Sequence, residues 1–278
     1  MSAVISKEDG WLATLSLRFS GRDDKTIISH RKHHGPLVIQ KPFYPEGEVC
    51  HVYLLHPPGG VVGGDQLALD VEVNRSGHAL VTTPAAGKFY RSDGRVAQLT
   101  QTLSVESGST LEWLPQETIL FSGCEVNMKT IVQLEAGAQF IGWEILCMGR
   151  PASKELFDKG RARQHFEIWR DNKPLMLDRS QLAGSDDVLS AKWGMQNYTV
   201  TGTMMVVNVN QEMLEHLREH QPVITNGLFS ATLIKDVLVC RALSNQAEHV
   251  RFAFIHAWKL LRSRVLGKEA SEPRIWST

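Results

Sequence analysis

Ser76-Gly77-His78-Ala79-Leu80 and, 31 positions further on, Ser107-Gly108-Ser109-Thr110-Leu111 are two copies of one pattern. Each copy opens on a Ser-Gly turn, runs into a short apolar strand, breaks at a proline (Pro84, Pro115) and closes on an apolar pair, Phe89-Tyr90 and then Leu120-Phe121. A looser third copy starts at Gly137, with Phe140 to Leu146 as its strand and its proline delayed to Pro151. Repeats of this length are a signature of stacked units, each burying the open face of its neighbour. Stacked β-coils are one reading. Regular hairpin spacing in a sandwich is the alternative, because strands at even intervals with turn signals describe that fold too. Both readings make the chain all-β, with stacked sheets in a β-helix-like arrangement.

Outward from the repeat, Trp11, Ala13, Leu15, Leu17 and Phe19 alternate with polar residues as a half-buried strand does. His30 to Pro36 reads as a basic, turn-like segment, either a solvated loop or a group whose His30, His33 and His34 bind a metal. Val38 begins a short stretch ended by Pro42 and Pro45, which implies a sheet edge or a turn. Further strands are expected at 96–105, 126–134, 164–170, 199–207 and 231–243. Two helices complete the chain. The first covers 211–220, with Met213, Leu214 and Leu217 as its apolar side. The longer one, near the C-terminus, covers about 247–266, where Val250, Phe254, Ala257, Leu261 and Val265 form a core-facing stripe and Gly267 supplies the C-cap. Residues 1–278 read as a single domain.

Between two strand-like runs lies His56-Pro57-Pro58-Gly59-Gly60-Val61-Val62-Gly63-Gly64-Asp65. The prolines fix φ and withhold donors, while the glycines admit positive φ or close approach of another segment. No G-x-G-x-x-G or G-x-x-x-x-G-K-[ST] is present and no helical pattern follows, which argues against a phosphate cradle. Asp65 closes the loop, either bonding its own backbone or offering a carboxylate to a ligand.

Lysine plus arginine and aspartate plus glutamate both number 30, so no basic surplus points to nucleic acid or an anionic membrane. Met1 to Leu17 lacks a basic head with an apolar block, and no stretch approaches the roughly 18 apolar residues of a membrane span. A cytoplasmic protein with protein partners is expected. Cys50, Cys124, Cys147 and Cys240 are scattered without a C-x-x-C pair and read as reduced, buried thiols.

No G-x-S-x-G elbow, nucleophilic cysteine context or H-E-x-x-H is present. Three acidic residues stand out by their surroundings: Asp65, Glu117 and, within a strand of apolar residues, Glu144. Glu144 either faces solvent by alternation or faces inward and needs a partner, for which Arg150 is the candidate, or a cation. His216 and His220 lie four apart and His249 and His256 seven apart on the helices, yet neither pair has a third ligand beside it, so no stable metal site is assigned. A β-helical glycan-cleaving enzyme using two of Asp65, Glu117 and Glu144 is one alternative, and a plain binding module is another.

The assembled segments resemble the urease accessory protein family UreD, also known as UreH. The resemblance rests on Gly35-Pro36-Leu37 through Gly47, Leu54 through Asp65, Thr82-Thr83-Pro84 with Lys88-Phe89-Tyr90-Arg91-Ser92, Leu111 through Glu117, Gly142-Trp143-Glu144, Gly149-Arg150 and Pro273-Arg274-Ile275-Trp276. Departures are local: Ala85 and Gly87 in the Thr-Thr-Pro loop, and Lys154 where a glycine is common. The resemblance implies a non-enzymatic chaperone that binds apo-urease, meets UreF directly and the GTPase UreG through it, and assists nickel insertion. No stably bound cofactor is implied, only nickel in transit. An internal tunnel is part of that implication, with Asp65, Thr83, Glu117 and Glu144 as weak oxygen ligands along a path. The helix at 247–266, with Arg251, Arg262 and Arg264 off its apolar line, is expected to contribute to the face that meets UreF.

Overall fold

The computed structural model describes residues 10–277. Residues 1–9, much of the segment read above for a leader, and Thr278 lie outside the described residues. The strands are β1 (Leu12–Arg22), β2 (Lys25–His34), β3 (Val38–Ile39), β4 (Cys50–Leu55), β5 (Gln66–Asn74), β6 (His78–Thr82), β7 (Gly87–Phe89), β8 (Ala97–Val105) and β9 (Thr110–Trp113). They continue with β10 (Thr118–Leu120), β11 (Glu125–Leu134), β12 (Gln139–Arg150), β13 (Glu155–Leu156), β14 (Arg161–Arg170), β15 (Lys173–Ala183), β16 (Val200–Val207), β17 (Leu228–Ile234) and β18 (Val237–Ser244). Helix α1 spans Gln211–Glu219 and α2 spans Ala247–Leu266.

One sheet has seven strands in the order β15-β14-β11-β8-β5-β1-β2. The other has eleven, following β17-β18-β16-β12-β9-β6-β4-β3, with β7, β10 and β13 joined off that path. The chain alternates between them. Strands β5, β8, β11 and β14 stack in parallel in the first sheet while β4, β6, β9 and β12 stack in parallel in the second. This is a β-solenoid-like pile of coils, the first of the two arrangements the repeat allowed. Tight turns join the layers: the Gly77 amide donates to the Asn74 carbonyl (2.9 Å), Ser109 to Glu106 (3.0 Å) and Ala138 to Glu135 (3.0 Å).

The step of the coil is uneven. His78 lies opposite Thr110, a step of 32 residues, whereas Thr110 lies opposite Gln139, a step of 29. The offset of 31 seen in the sequence is the true register between β7 and β10, where Gly87 faces Thr118 and Phe89 faces Leu120. The path from His78 to Gly87 is one residue longer than that from Thr110 to Thr118, which absorbs the difference.

Leu15, Leu17, Phe19, Val71, Val81, Leu111 and Phe140 fill the space between the sheets. The outer face of the larger sheet is covered by the helices, giving a third layer. Helix α2 buries Val250, Phe254, Ala257, Trp258 and Leu261 against Ile141, Trp143, Ile145 and Met204. Its approach is close because β16 carries Gly202, where a Cβ would lie 2.6 Å from Val250 and 2.7 Å from Phe254. Gly267 caps α2 at φ 65°, as expected. The closing segment folds back so that the Trp276 ring packs on Trp143 and Trp258, with its indole N–H 3.0 Å from Thr82 Oγ1. No helix among the described residues is long and apolar enough to cross a membrane.

Several expectations need correction. Trp11 precedes β1 and is 52% exposed; only Ala13, Leu15, Leu17 and Phe19 keep the buried face. His30 to His34 is not a loop but the end of β2, an edge strand pairing with β1 (Leu15 opposite His33, Leu17 opposite Arg31), and its charged residues are those that keep an edge from pairing further. Its three histidines do not gather into a ligand group. The run 231–243 is two strands, β17 and β18, joined at Lys235-Asp236 with Lys235 at φ 57°; no glycine marks that turn. Arg262, expected on the exposed face of α2, is fully buried.

Candidate functional site

Alternation along β12 decides where Glu144 points. Ile141, Trp143 and Ile145 face α2, so Phe140, Glu144 and Leu146 face the space between the sheets. There the carboxylate meets side chains of the opposite sheet: Thr130 of β11 and Gln164 of β14 both bond to it. Thr130 Oγ1 also lies 2.8 Å from Gln101 Oε1 of β8. Arg150 is not its partner; that guanidinium pairs with Glu155 and lies over the Phe121 ring.

Glu144, Thr130 and Gln101 form the floor of a cavity of about 520 Å³. Its walls are largely apolar, including Leu69, Leu99, Trp113 and Met128, and its rim is built by His56, Pro57, Gly59 and Gly60 on one side and Thr83 to Lys88 on the other. Burial pushes the Glu144 carboxyl up to about 7; the bonds from Thr130 and Gln164 oppose this, and the charge of Asp178 adds to it. The Thr130 hydroxyl has one proton for two acceptors. When Glu144 is protonated, its O–H donates to Thr130, and Thr130 donates to Gln101, so every group is satisfied. When it is ionised, Thr130 donates to the carboxylate and the Gln101 contact lacks a proton. The contact between Thr130 and Gln101 is therefore satisfied only while Glu144 holds its proton.

The loop that brackets the rim is fixed from within. Asp65 is buried, and its carboxylate accepts from the Val62 amide at 3.0 Å and the Trp11 amide at 2.9 Å. It closes the turn by reaching back three residues to Val62 and across to Trp11, not forward as an Asx turn would, and it does not line the cavity. Gly59 (φ 82°) and Gly64 (φ 91°) take left-handed backbone, and Gly63 approaches Ser92 and Arg95. Gly60 sits flat against a ring: a Cβ there would fall 2.3 Å from Tyr90. Val61 then pairs with the Lys88 to Tyr90 segment, its N–H donating to the Lys88 carbonyl at 2.8 Å, which ties the two sides of the rim together.

Of the other candidate residues, Thr83 lines the cavity and its hydroxyl oxygen accepts from the Gln116 amide at 2.9 Å. Glu117 turns away and pairs with Arg251 of α2 at 3.4 Å, so an expected path residue and an expected partner residue neutralise each other. Arg264 is exposed. Arg262 reaches inward to Glu112 of β9, with Nε and Nη2 3.0–3.1 Å from its oxygens, and to Glu46 at 2.8 Å. His78 (2.7 Å) and the Trp258 indole (2.6 Å) complete the shell of Glu112. Burial works against the charge on Glu112, but the His78 and Arg262 contacts win and hold its carboxyl at about 2. This cluster docks α2 onto the coils. The sequence carried a signal for it, a glutamate between Leu111 and Trp113 resembling the setting of Glu144. Thr130, Gln101 and Gln164 carried none, because ordinary polar residues on alternating strands do not announce which sheet face they share. All four cysteines are buried and unpaired, with burial pushing the Cys50 thiol to about 11 and those of Cys124, Cys147 and Cys240 to about 12.

No two of Asp65, Glu117 and Glu144 share the cavity, so the paired-carboxylate arrangement of a glycosidase is not formed by them. The UreD family model, described as UreD urease accessory protein, matches residues 12–277. The chain is 42% identical to the urease accessory protein UreD of Alcanivorax borkumensis, covering all of this chain and 96% of that protein. It is 41% identical to UreD of Aliivibrio fischeri over the whole of both chains, and 40% identical to UreD of an Enterobacter species over 97% of this chain and 96% of the other. The fold, the rim loop and the matched length together make this chain a member of the UreD family of urease accessory proteins.

Proposed function

We propose that this protein is a scaffold for urease maturation that binds apo-urease and UreF, engages the GTPase UreG through UreF, and assists nickel insertion by passing the ion through the cavity between its sheets. The observation that carries the reading is Glu144: an ionisable carboxylate at the floor of a largely apolar cavity, beside the Thr130 hydroxyl and the Gln101 amide, poised between protonated and ionised near neutral pH. Oxygen ligands without imidazole or thiolate hold Ni²⁺ loosely, as a conduit requires. The path as proposed includes Glu144, Thr130 and Thr83 and excludes Asp65 and Glu117, whose carboxylates are engaged elsewhere. Glu144→Leu, co-expressed with urease and the other accessory proteins at limiting nickel, should lower the nickel content and activity of the urease recovered. Full nickel loading by a folded variant would remove Glu144 from the path.

The outer face of α2 is the proposed ridge for UreF. Phe252, 56% exposed beneath the Arg251 guanidinium, and the exposed Arg264 supply an apolar and a cationic contact. Arg264→Glu should reduce co-purification of UreF. Recovery equal to that of the unaltered protein would move the interface elsewhere.

A further inference from the structure

Helix α1 ends in a group of side chains that the maturation reading leaves unused. His216 and His220 stand one turn apart on the same face, their ring centroids 4.5 Å apart. Glu219 joins them: one ligand atom from each of the three residues lies within 4.8 Å of the other two, and among the described residues no other three histidine, cysteine or acidic side chains converge in this way. Spacing in the sequence showed the two imidazoles; the third donor comes from the fold of the last turn.

The surroundings prepare this group to bind. His220 Nδ1 lies 2.9 Å from the His216 carbonyl, so Nδ1–H donates there and Nε2 is left as the basic nitrogen. His256 of α2 donates through Nε2–H to the His220 carbonyl at 2.8 Å, which pins the end of α1 to its neighbour. At the other end the Asn210 side chain accepts from the Met213 amide at 2.9 Å, a cap that holds the first turn. The three donors also sit at the helix C-terminus, where unpaired carbonyls favour positive charge.

We propose that His216, Glu219 and His220 form a surface site for a late first-row divalent cation such as Ni²⁺ or Zn²⁺, bound by two imidazole nitrogens and one carboxylate oxygen. This donor set excludes the hard cations Mg²⁺ and Ca²⁺, which select oxygen alone. Three protein ligands leave coordination positions open to water, and all three side chains are reached by solvent, so the ion exchanges rather than serving as a closed structural centre. The site is separate from Glu144 and richer in nitrogen, and it binds the same ions more tightly than the cavity does. Arg264 stands close enough for its charge to act on His216, and it repels an incoming cation.

The test is equilibrium dialysis of the full chain, without a polyhistidine tag, against Ni²⁺ alone and Zn²⁺ alone. The unaltered protein and Glu144→Gln should bind one ion at this site with the same affinity. His216→Ala/His220→Ala should weaken that binding by about tenfold or more, Glu219→Gln should weaken it less, and Arg264→Ala should tighten it. Substoichiometric Cu²⁺ added to the unaltered protein should broaden the NMR signals of the His216 and His220 rings first, a readout that needs no variant. Affinity unchanged in the folded double variant, or broadening centred on other residues, overturns the site; neither result bears on the cavity path, whose test is urease loading by Glu144→Leu.

Discussion

Replacing Glu144 with glutamine removes a charge while keeping the shape of the protonated side chain. The amide introduced by Glu144→Gln can accept from Gln164 and donate to Thr130, which then donates to Gln101, reproducing the satisfied chain at every pH. In the native protein the carboxyl is raised from 4.5 to about 7. The folded state thus binds a proton more tightly than the unfolded chain, and the stability this proton contributes is present below pH 4.5 and lost as pH rises to 7 and beyond. At about 1.4 kcal/mol for each tenfold change in proton affinity, the loss is at most about 3 kcal/mol, less to the extent that water in the cavity solvates the ion. Relative to the native protein, Glu144→Gln should gain stability steadily between those limits and level off above them. Urea denaturation of both proteins between pH 5 and pH 8.5, with equal m-values confirming a common unfolding transition, measures the difference directly. Parallel curves across that range would mean that Glu144 titrates as an exposed carboxyl does, and the proton chain and the role proposed for Glu144 in the path would fall with it.

Arg262→Ala leaves Glu112 buried without its bidentate partner and should destabilise the fold by about 3–5 kcal/mol, read as a lower urea midpoint. Because Glu112 is held at about 2, its own contribution stands above pH 4.5 and is lost as the pH falls toward 2, so acid unfolding should begin at higher pH in that variant. Asp65→Ala strands the Val62 and Trp11 amides and should cost about 1–3 kcal/mol, with faster hydrogen exchange at those two amides as the specific sign. Lys154 sits at φ 59°, so Lys154→Gly should raise stability by up to about 1 kcal/mol in thermal melts. Gly60→Ala places a methyl into the Tyr90 ring and should lower the melting temperature and loosen the rim, seen as a changed Tyr90 ring environment by NMR.

The coil is legible where chemistry repeats. Ser-Gly turns, proline breaks and apolar pairs recur because each layer meets the same geometric demand, and the α2 stripe is legible because four of its five apolar positions are buried in the core and Val265 packs against it. The sequence offset misses the β6 to β9 register by one residue, since unequal connections shift strands without changing their composition. Strand β2 looks like a loop in the sequence because an edge strand in water needs no apolar alternation. Within the site, Glu144 stands out by its apolar neighbours in sequence. Asp65 and Glu117 stand out equally and prove to be a turn cap and an ion-pair partner, because a carboxylate's role depends on donors distant in the chain, such as Trp11 and Arg251. Arg262 misleads for the opposite reason: an arginine off the apolar line of a helix reads as solvated until a buried anion is found beneath it. Lys154, by contrast, occupies a left-handed position of the kind that glycine suits.

The anchoring of α2 through Glu112 has a consequence for how the chain comes apart. A helix held only by greasy contact can peel from a solenoid and leave a shorter, still intact stack. Here detachment would also take Trp258 and Arg262 away from Glu112, break the Arg262–Glu46 ion pair and leave His78 as the one partner of that carboxylate among the described residues, so peeling the helix costs an ion-pair network as well as apolar contact. A protein clipped before Ala247 would bare Ile141, Trp143, Ile145 and Met204 to water, so the end of the chain that proteases sample first is also the part whose release exposes the most apolar surface of the larger sheet.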